Sequence, residues 1–178
     1  MSSISNSHIA RRRFLLALAA WPLAGLASSG PETLTAGFKR WGSGEFRRFG
    51  FLIYEATLWA AGEDPVRPPL ALKLTYKRQI AGRDITEASV KEIRNLGVAN
   101  EALLKVWGEQ MGRIFPDVRP GDHLIGVHLQ EGARFFHNDR DVGKIADPAF
   151  ARAFFGIWLD TRTSAPELRA ALLKRPLA

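Results

Sequence analysis

Cysteine is absent from the 178 residues. No disulfide staples the fold, and neither a thiolate metal site nor a cysteine nucleophile is available. Tyrosine is scarce, with two residues, so a tyrosine on an apolar strand face is a specific observation. No run of five like charges occurs, which argues against a nucleic-acid-binding stripe. Metal-ligand spacing is missing as well. There is no His-Glu-x-x-His, and His123 and His128 fall on opposite faces of one predicted strand. No Gly-x-Ser-x-Gly elbow is present, and Gly42-Ser43-Gly44 precedes a predicted strand instead of opening a helix. Serine-histidine-acid chemistry, a phosphate cradle, a bound metal and a cofactor are therefore not expected.

Long apolar runs are also lacking. The best candidate, Phe14–Ala27, is interrupted by Pro22 and falls short of the about 20 residues a membrane span needs. It follows Arg11-Arg12-Arg13 and leads into small residues, the pattern of a secretory signal peptide. Arg11-Arg12-x-Phe14-Leu15 also fits the twin-arginine pattern, which leaves the export route open. The expected organisation is a signal peptide over residues 1–27, a leader over 28–36 and one domain over 37–178. The mature chain is expected to be periplasmic or secreted, without stable membrane insertion. The net charge of +7 (25 minus 18) includes three arginines and no acid from residues 1–27, leaving +4 (22 minus 18). That balance suits mild attraction to anionic surfaces or acidic ligands.

Strand and helix periods alternate along the domain. Residues 46–59 read as one long strand. Leu52, Tyr54, Ala56 and Leu58 lie on one face, with Ile53, Glu55 and Thr57 on the other. Leu70, Leu72, Leu74 and Tyr76 alternate with Ala71, Lys73 and Thr75, predicting a half-buried strand with one wet face. A helical stripe of Val90, Ile93 and Leu96 ends at Gly97, with Thr86 and Ser89 as candidate caps. Asn100 caps a second helix through Leu104, Trp107 and Met111. Ile125, Val127 and Leu129 mark another strand. Residues 133–137 and 140–145 flank an Asn138-Asp139 hairpin turn. Asp147-Pro148 opens an apolar helix containing Phe150, Phe154 and Trp158, and Ser164-Ala165-Pro166-Glu167 has the form of a capping box. Segregated strands and helices predict an α+β fold, mainly antiparallel, with helices on one face.

Few residues carry chemistry. Tyr54 and Tyr76 lie on apolar strand faces, where core packing competes with a cavity role. Glu55 is read as solvated or paired with an arginine, with a pocket carboxylate as the alternative. Arg47 and Arg48, adjacent on a strand, point to opposite faces, so one turns toward the covered side. A guanidinium there suits a carboxylate or enolate oxygen.

The order of Gly42-x-Gly44, Ile53-Tyr54-Glu55-Ala56, Leu72-x-Leu74-x-Tyr76, Glu92-Ile93-Arg94, Trp107, Phe115-Pro116, Gly121-Asp122, Phe135-Phe136 and Phe154–Asp160 resembles the bacterial chalcone isomerase-like proteins. The likeness covers about residues 37–175. It implies an open-faced β-sandwich with a ligand cleft between sheet and helices. In plant isomerases of this fold an arginine on the first long strand stabilises an enolate oxygen. In fatty-acid-binding relatives an arginine and a tyrosine hold a carboxylate. The resemblance makes Arg47, Tyr54, Tyr76 and Glu92 the candidate ligand-binding residues. Tyr54 falls near the plant threonine position and Glu92 near the asparagine, and both departures count against flavonoid chemistry. The expected function is non-catalytic binding of a small amphipathic molecule, a fatty acid or an aromatic acid. The alternatives are an isomerase acting on an enone and a scaffold with a filled cleft.

Overall fold

The computed structural model describes residues 30–174. The expected signal peptide lies outside the described residues. In chain order the elements are α1 (Pro31–Leu34), β1 (Lys39–Arg48), β2 (Phe51–Ala60), β3 (Leu70–Tyr76), α2 (Gly82–Leu96), α3 (Glu101–Ile114), β4 (His123–Leu129), β5 (Gly132–His137), β6 (Arg140–Ile145), α4 (Pro148–Leu159) and α5 (Pro166–Leu172). The strands form one six-stranded antiparallel sheet in sequential order from β1 to β6. The helices from α2 to α5 lie over one face, giving the expected α+β open-faced sandwich. The main core runs between them. Leu58, Leu72, Tyr76 and Phe135 from the sheet meet Ile93, Trp107, Phe150, Phe154 and Trp158 from the helices. Each such large side chain withdrawn from water contributes about 1.5–3 kcal/mol. On the opposite face Ala71, Val127 and Phe136 are buried beneath Leu34 and Phe38, so β3 has a less exposed second face than its alternation predicts.

The single long strand expected over residues 46–59 is instead a hairpin. Phe49 and Gly50 both take positive φ, 50° and 81°. Two left-handed residues in succession make the two-residue turn whose twist matches antiparallel strands. Arg48 then faces Phe51 as the last pair of the ladder. The apolar content of residues 46–53 masked this turn, because phenylalanine is an unusual left-handed residue. Gly42-Ser43-Gly44 lies inside β1, not ahead of it. A register shift between Arg40 and Gly42 interrupts the ladder just ahead of it, and α5 packs closely on the two glycines. A Cβ on Gly42 would stand 2.3 Å from the Leu172 carbonyl oxygen.

Helix ends follow the sequence in part. The Asn100 side chain accepts from the Leu103 amide, and Asp147 accepts from Ala149 and Phe150. Gly97 ends α2 in the left-handed conformation. Two expected caps do not form. The helix α2 begins at Gly82, and the Thr86 and Ser89 hydroxyls donate back to the carbonyls of Gly82 and Ile85. The Gly82 amide instead donates to Asp117 Oδ1 at 2.8 Å, a cap supplied from across the fold. At α5 the Ser164 hydroxyl is directed away from the helix, to Glu92.

Candidate functional site

A cavity of about 310 Å³ opens between the β1–β3 end of the sheet and helices α2 and α4. This volume sits at the lower bound for small-molecule pockets, roughly 300–1,000 Å³. Register builds its floor. Phe46 pairs with Tyr54, and Tyr54 with Tyr76, so three aromatic side chains stand in a row on the helix-facing side. Phe46 stacks on Tyr54 at 5.0 Å between centroids, and Tyr54 meets Tyr76 edge-on at 5.9 Å. Ile53, the extra residue of a bulge opposite Phe46 and Arg47, adds to the wall. The helices contribute Ile85, Ala88, Ser89 and Glu92 from α2, with Asp84, which pairs with Arg83, and Ile157 and Trp158 from α4. The lining exposes mostly apolar surface with a few polar groups, the usual composition of a small-molecule pocket.

The polar groups are spaced along it. The Trp158 indole N–H donates to the Tyr54 hydroxyl oxygen at 3.0 Å, leaving the Tyr54 O–H free to donate elsewhere. The Tyr76 hydroxyl has no hydrogen-bond partner among the described residues. Burial pushes both phenols well above their ordinary pKa, with the Glu92 charge adding to the rise at Tyr54. Both tyrosines keep their protons, so neither acts as a base, and each has an O–H available to donate. The Glu92 carboxylate, on the facing wall, accepts from Ser164 at 2.7 Å. At the exposed rim Arg48 lines the cavity, its guanidinium over the Phe49 ring at 5.4 Å with no carboxylate partner among the described residues.

Three of the four candidate residues, Tyr54, Tyr76 and Glu92, are brought to this cavity. Arg47 is not. Alternation puts it on the opposite face of β1, where it binds Glu45 at 2.7 Å in an exposed pair. The arginine at the cavity is Arg48, one residue on. Phe46 is set directly beside Tyr54, and Arg48 returns to the same side two residues later. Glu55 also faces away, paired with Lys77 at 3.0 Å. Alternation through residues 46–59 already sets Phe46 and Arg48 on the Tyr54 face, and it is the resemblance that points to Arg47. Ser164 and Trp158 come from elements far away in sequence. No cluster of three or more metal-ligating side chains occurs among the described residues.

A family model described as chalcone isomerase-like matches residues 49–174. An uncharacterized protein of Haemophilus influenzae is 32% identical over 105 residues, 59% of this chain and 52% of that protein. The chain thus spans about half the length of that curated relative. Among solved structures, the crystal structure of an Arabidopsis thaliana fatty-acid binding protein superposes with a TM-score of 0.60 at 11% identity. The match covers 78% of this chain and 87% of the other. At that identity the likeness concerns the fold.

Proposed function

The chain belongs to the chalcone isomerase-like family, and on that premise we propose that it is an exported, non-catalytic binder of a small amphipathic molecule with an acidic head, such as a fatty acid. The observation that carries this reading is the open, apolar-walled cavity with one unpaired guanidinium at its rim. An acyl chain lies along Ile53, Ile85 and Ile157, and its carboxylate sits at Arg48. The head group is placed at the rim by electrostatics. Deeper in, beside Tyr54, it would face the Glu92 carboxylate, and like charges in a low-dielectric cavity repel strongly. Tyr76 offers a buried hydroxyl to a polar group further along the ligand. The fatty-acid binding activity named for the Arabidopsis neighbour is in keeping with this reading. The basic, apolar and small-residue order of residues 1–27 supports export.

Isomerase chemistry of the plant type is less well supported. Stabilising an enolate needs positive charge aimed at the oxyanion in a water-excluded site. Here the arginine is on the exposed rim, and the inner wall carries a carboxylate. A filled, scaffold-type cleft is at odds with the open volume.

The test is a calorimetric titration of the full chain with a long-chain fatty acid. Arg48→Ala is expected to weaken binding about tenfold, the lower end for a charge-assisted hydrogen bond because the rim is wet. Arg47→Ala is expected to leave it unchanged. Equal loss in both variants, or none in either, would reject the head-group assignment.

A further inference from the structure

The β1–β2 hairpin tip is unusual in two independent ways. Its apex residue Phe49 is 87% exposed and its neighbour Phe51 58% exposed, the two most exposed large apolar side chains among the described residues. Phe49 also holds a positive φ of 50°, which a bulky L-residue adopts at a cost. The other hairpin turn with positive φ at non-glycine positions uses Asn138 and Asp139, residue types that tolerate it. The hairpin turn needs the left-handed backbone at position 49 but not a phenylalanine ring, which stands exposed there.

The tip is also cationic. Arg47 and Lys77 are neutralised by Glu45 and Glu55. Arg48 and Arg78 have no carboxylate partner among the described residues, and each lies over one of the exposed rings. Arg48 is 5.4 Å from the Phe49 centroid, and Arg78 is 4.6 Å from that of Phe51. Arg48 belongs to the cavity rim as well. Two protruding aromatic rings, each flanked by an unpaired guanidinium, match the layered chemistry of a bilayer surface. Apolar groups enter the acyl boundary while cations stay with anionic head groups. A narrow apex of two rings offers too little area for a stable protein interface, which needs about 800 Å² per partner.

We propose that the Phe49–Phe51 tip docks on an anionic lipid bilayer, placing the cavity mouth at the membrane surface. No helix among the described residues is long and apolar enough to cross a membrane, so this contact is peripheral. It lets an amphipathic molecule pass between bilayer and cavity with little exposure to water. The docking goes beyond the binding reading and is tested without any ligand.

Because the chain has no cysteine, single-cysteine variants accept a polarity-sensitive fluorophore at one chosen site. In the full chain, Phe51→Cys and, as a control on another exposed apolar position of α3, Val106→Cys are labelled. Each is then mixed with phosphatidylglycerol or phosphatidylcholine vesicles. The expected result is a blue shift at position 51 on phosphatidylglycerol alone, with no shift at position 106. In vesicle sedimentation, Phe49→Ser with Phe51→Ser is expected to reduce binding about tenfold or more, since each ring withdraws apolar area from water. Arg48→Gln with Arg78→Gln is expected to reduce it by roughly tenfold or more at low salt. Circular dichroism confirms that the variants are folded. No shift at position 51, equal shifts at both positions, equal response to both lipids, or undiminished binding of the serine variant would overturn the proposal. So would capture of the tip by a protein without vesicle binding.

Discussion

A one-residue offset decides the chemistry of this cavity. Arg47 and Arg48 are the same residue type on the same strand, yet one is held by Glu45 on the far face and the other stands at the cavity rim. The tyrosines show a similar dependence on place. Burial keeps Tyr54 and Tyr76 protonated, so each keeps an O–H to donate and neither acts as a base. His128 is another residue whose surroundings set its behaviour. It is buried, stacked on Phe155 at 4.9 Å, and its Nδ1 has no partner among the described residues. Burial, with the nearby Arg152 charge, lowers its pKa to about 4. The unfolded chain takes up this proton near pH 6.5, before the native state does. The neutral imidazole therefore contributes stability above about pH 6.5 that is lost as pH falls toward 4. Denaturant unfolding at roughly pH 7.5 and pH 5 is expected to differ by about 2 kcal/mol through this group. His128→Leu is expected to remove that part of the difference. An unchanged pH dependence in the variant would place the effect elsewhere.

At the scale of elements, packing of α5 on β1 closes the cavity from the side, because the segment leading into α5 carries Ser164 and Ala165 in the wall. Gly42 permits that packing. Its missing Cβ would meet the carbonyl oxygens of Leu172 and Ala171 at 2.3 and 2.4 Å, backbone atoms that cannot rotate away. Gly42→Ala is expected to cost about 1–3 kcal/mol, the range for overpacking a close contact, measured by urea unfolding. A loss below about 0.5 kcal/mol would show that α5 shifts freely and that the wall is soft. Helices with local caps were legible in the sequence. Asn100 and Asp147 lie next to the helices they cap, and their side chains bond where the spacing places them. The start of α2 was not legible, since its capping carboxylate, Asp117, is 35 positions away. The β1–β2 turn was not legible for the opposite reason. Phe49 has the apolar character of a strand, whereas Asn138-Asp139 announces its turn by residue type. The choice of Arg47 has a different source: it comes from the resemblance, whereas alternation along residues 46–59 sets Arg48, not Arg47, on the face of Tyr54.

At the scale of the whole molecule, a sequential antiparallel sheet and a single layer of helices leave one end of the sandwich open. The aromatic packing of α4 against Phe135 and Phe115 fills the middle. The region under Tyr54, Tyr76 and α2 stays hollow. The structural neighbour shares this layered frame at 11% identity. On the proposed reading, the occupant is chosen by this chain's own rim and wall: the Arg48 guanidinium outside, and two neutral phenols with the Glu92 and Asp84 carboxyl groups in the lining. Mass spectrometry of the organic extract of the protein isolated from its native host tests this most directly. The predicted result is one amphipathic molecule with an acidic head per chain. A protein that is empty as isolated, and remains empty after incubation with fatty acids, would contradict it.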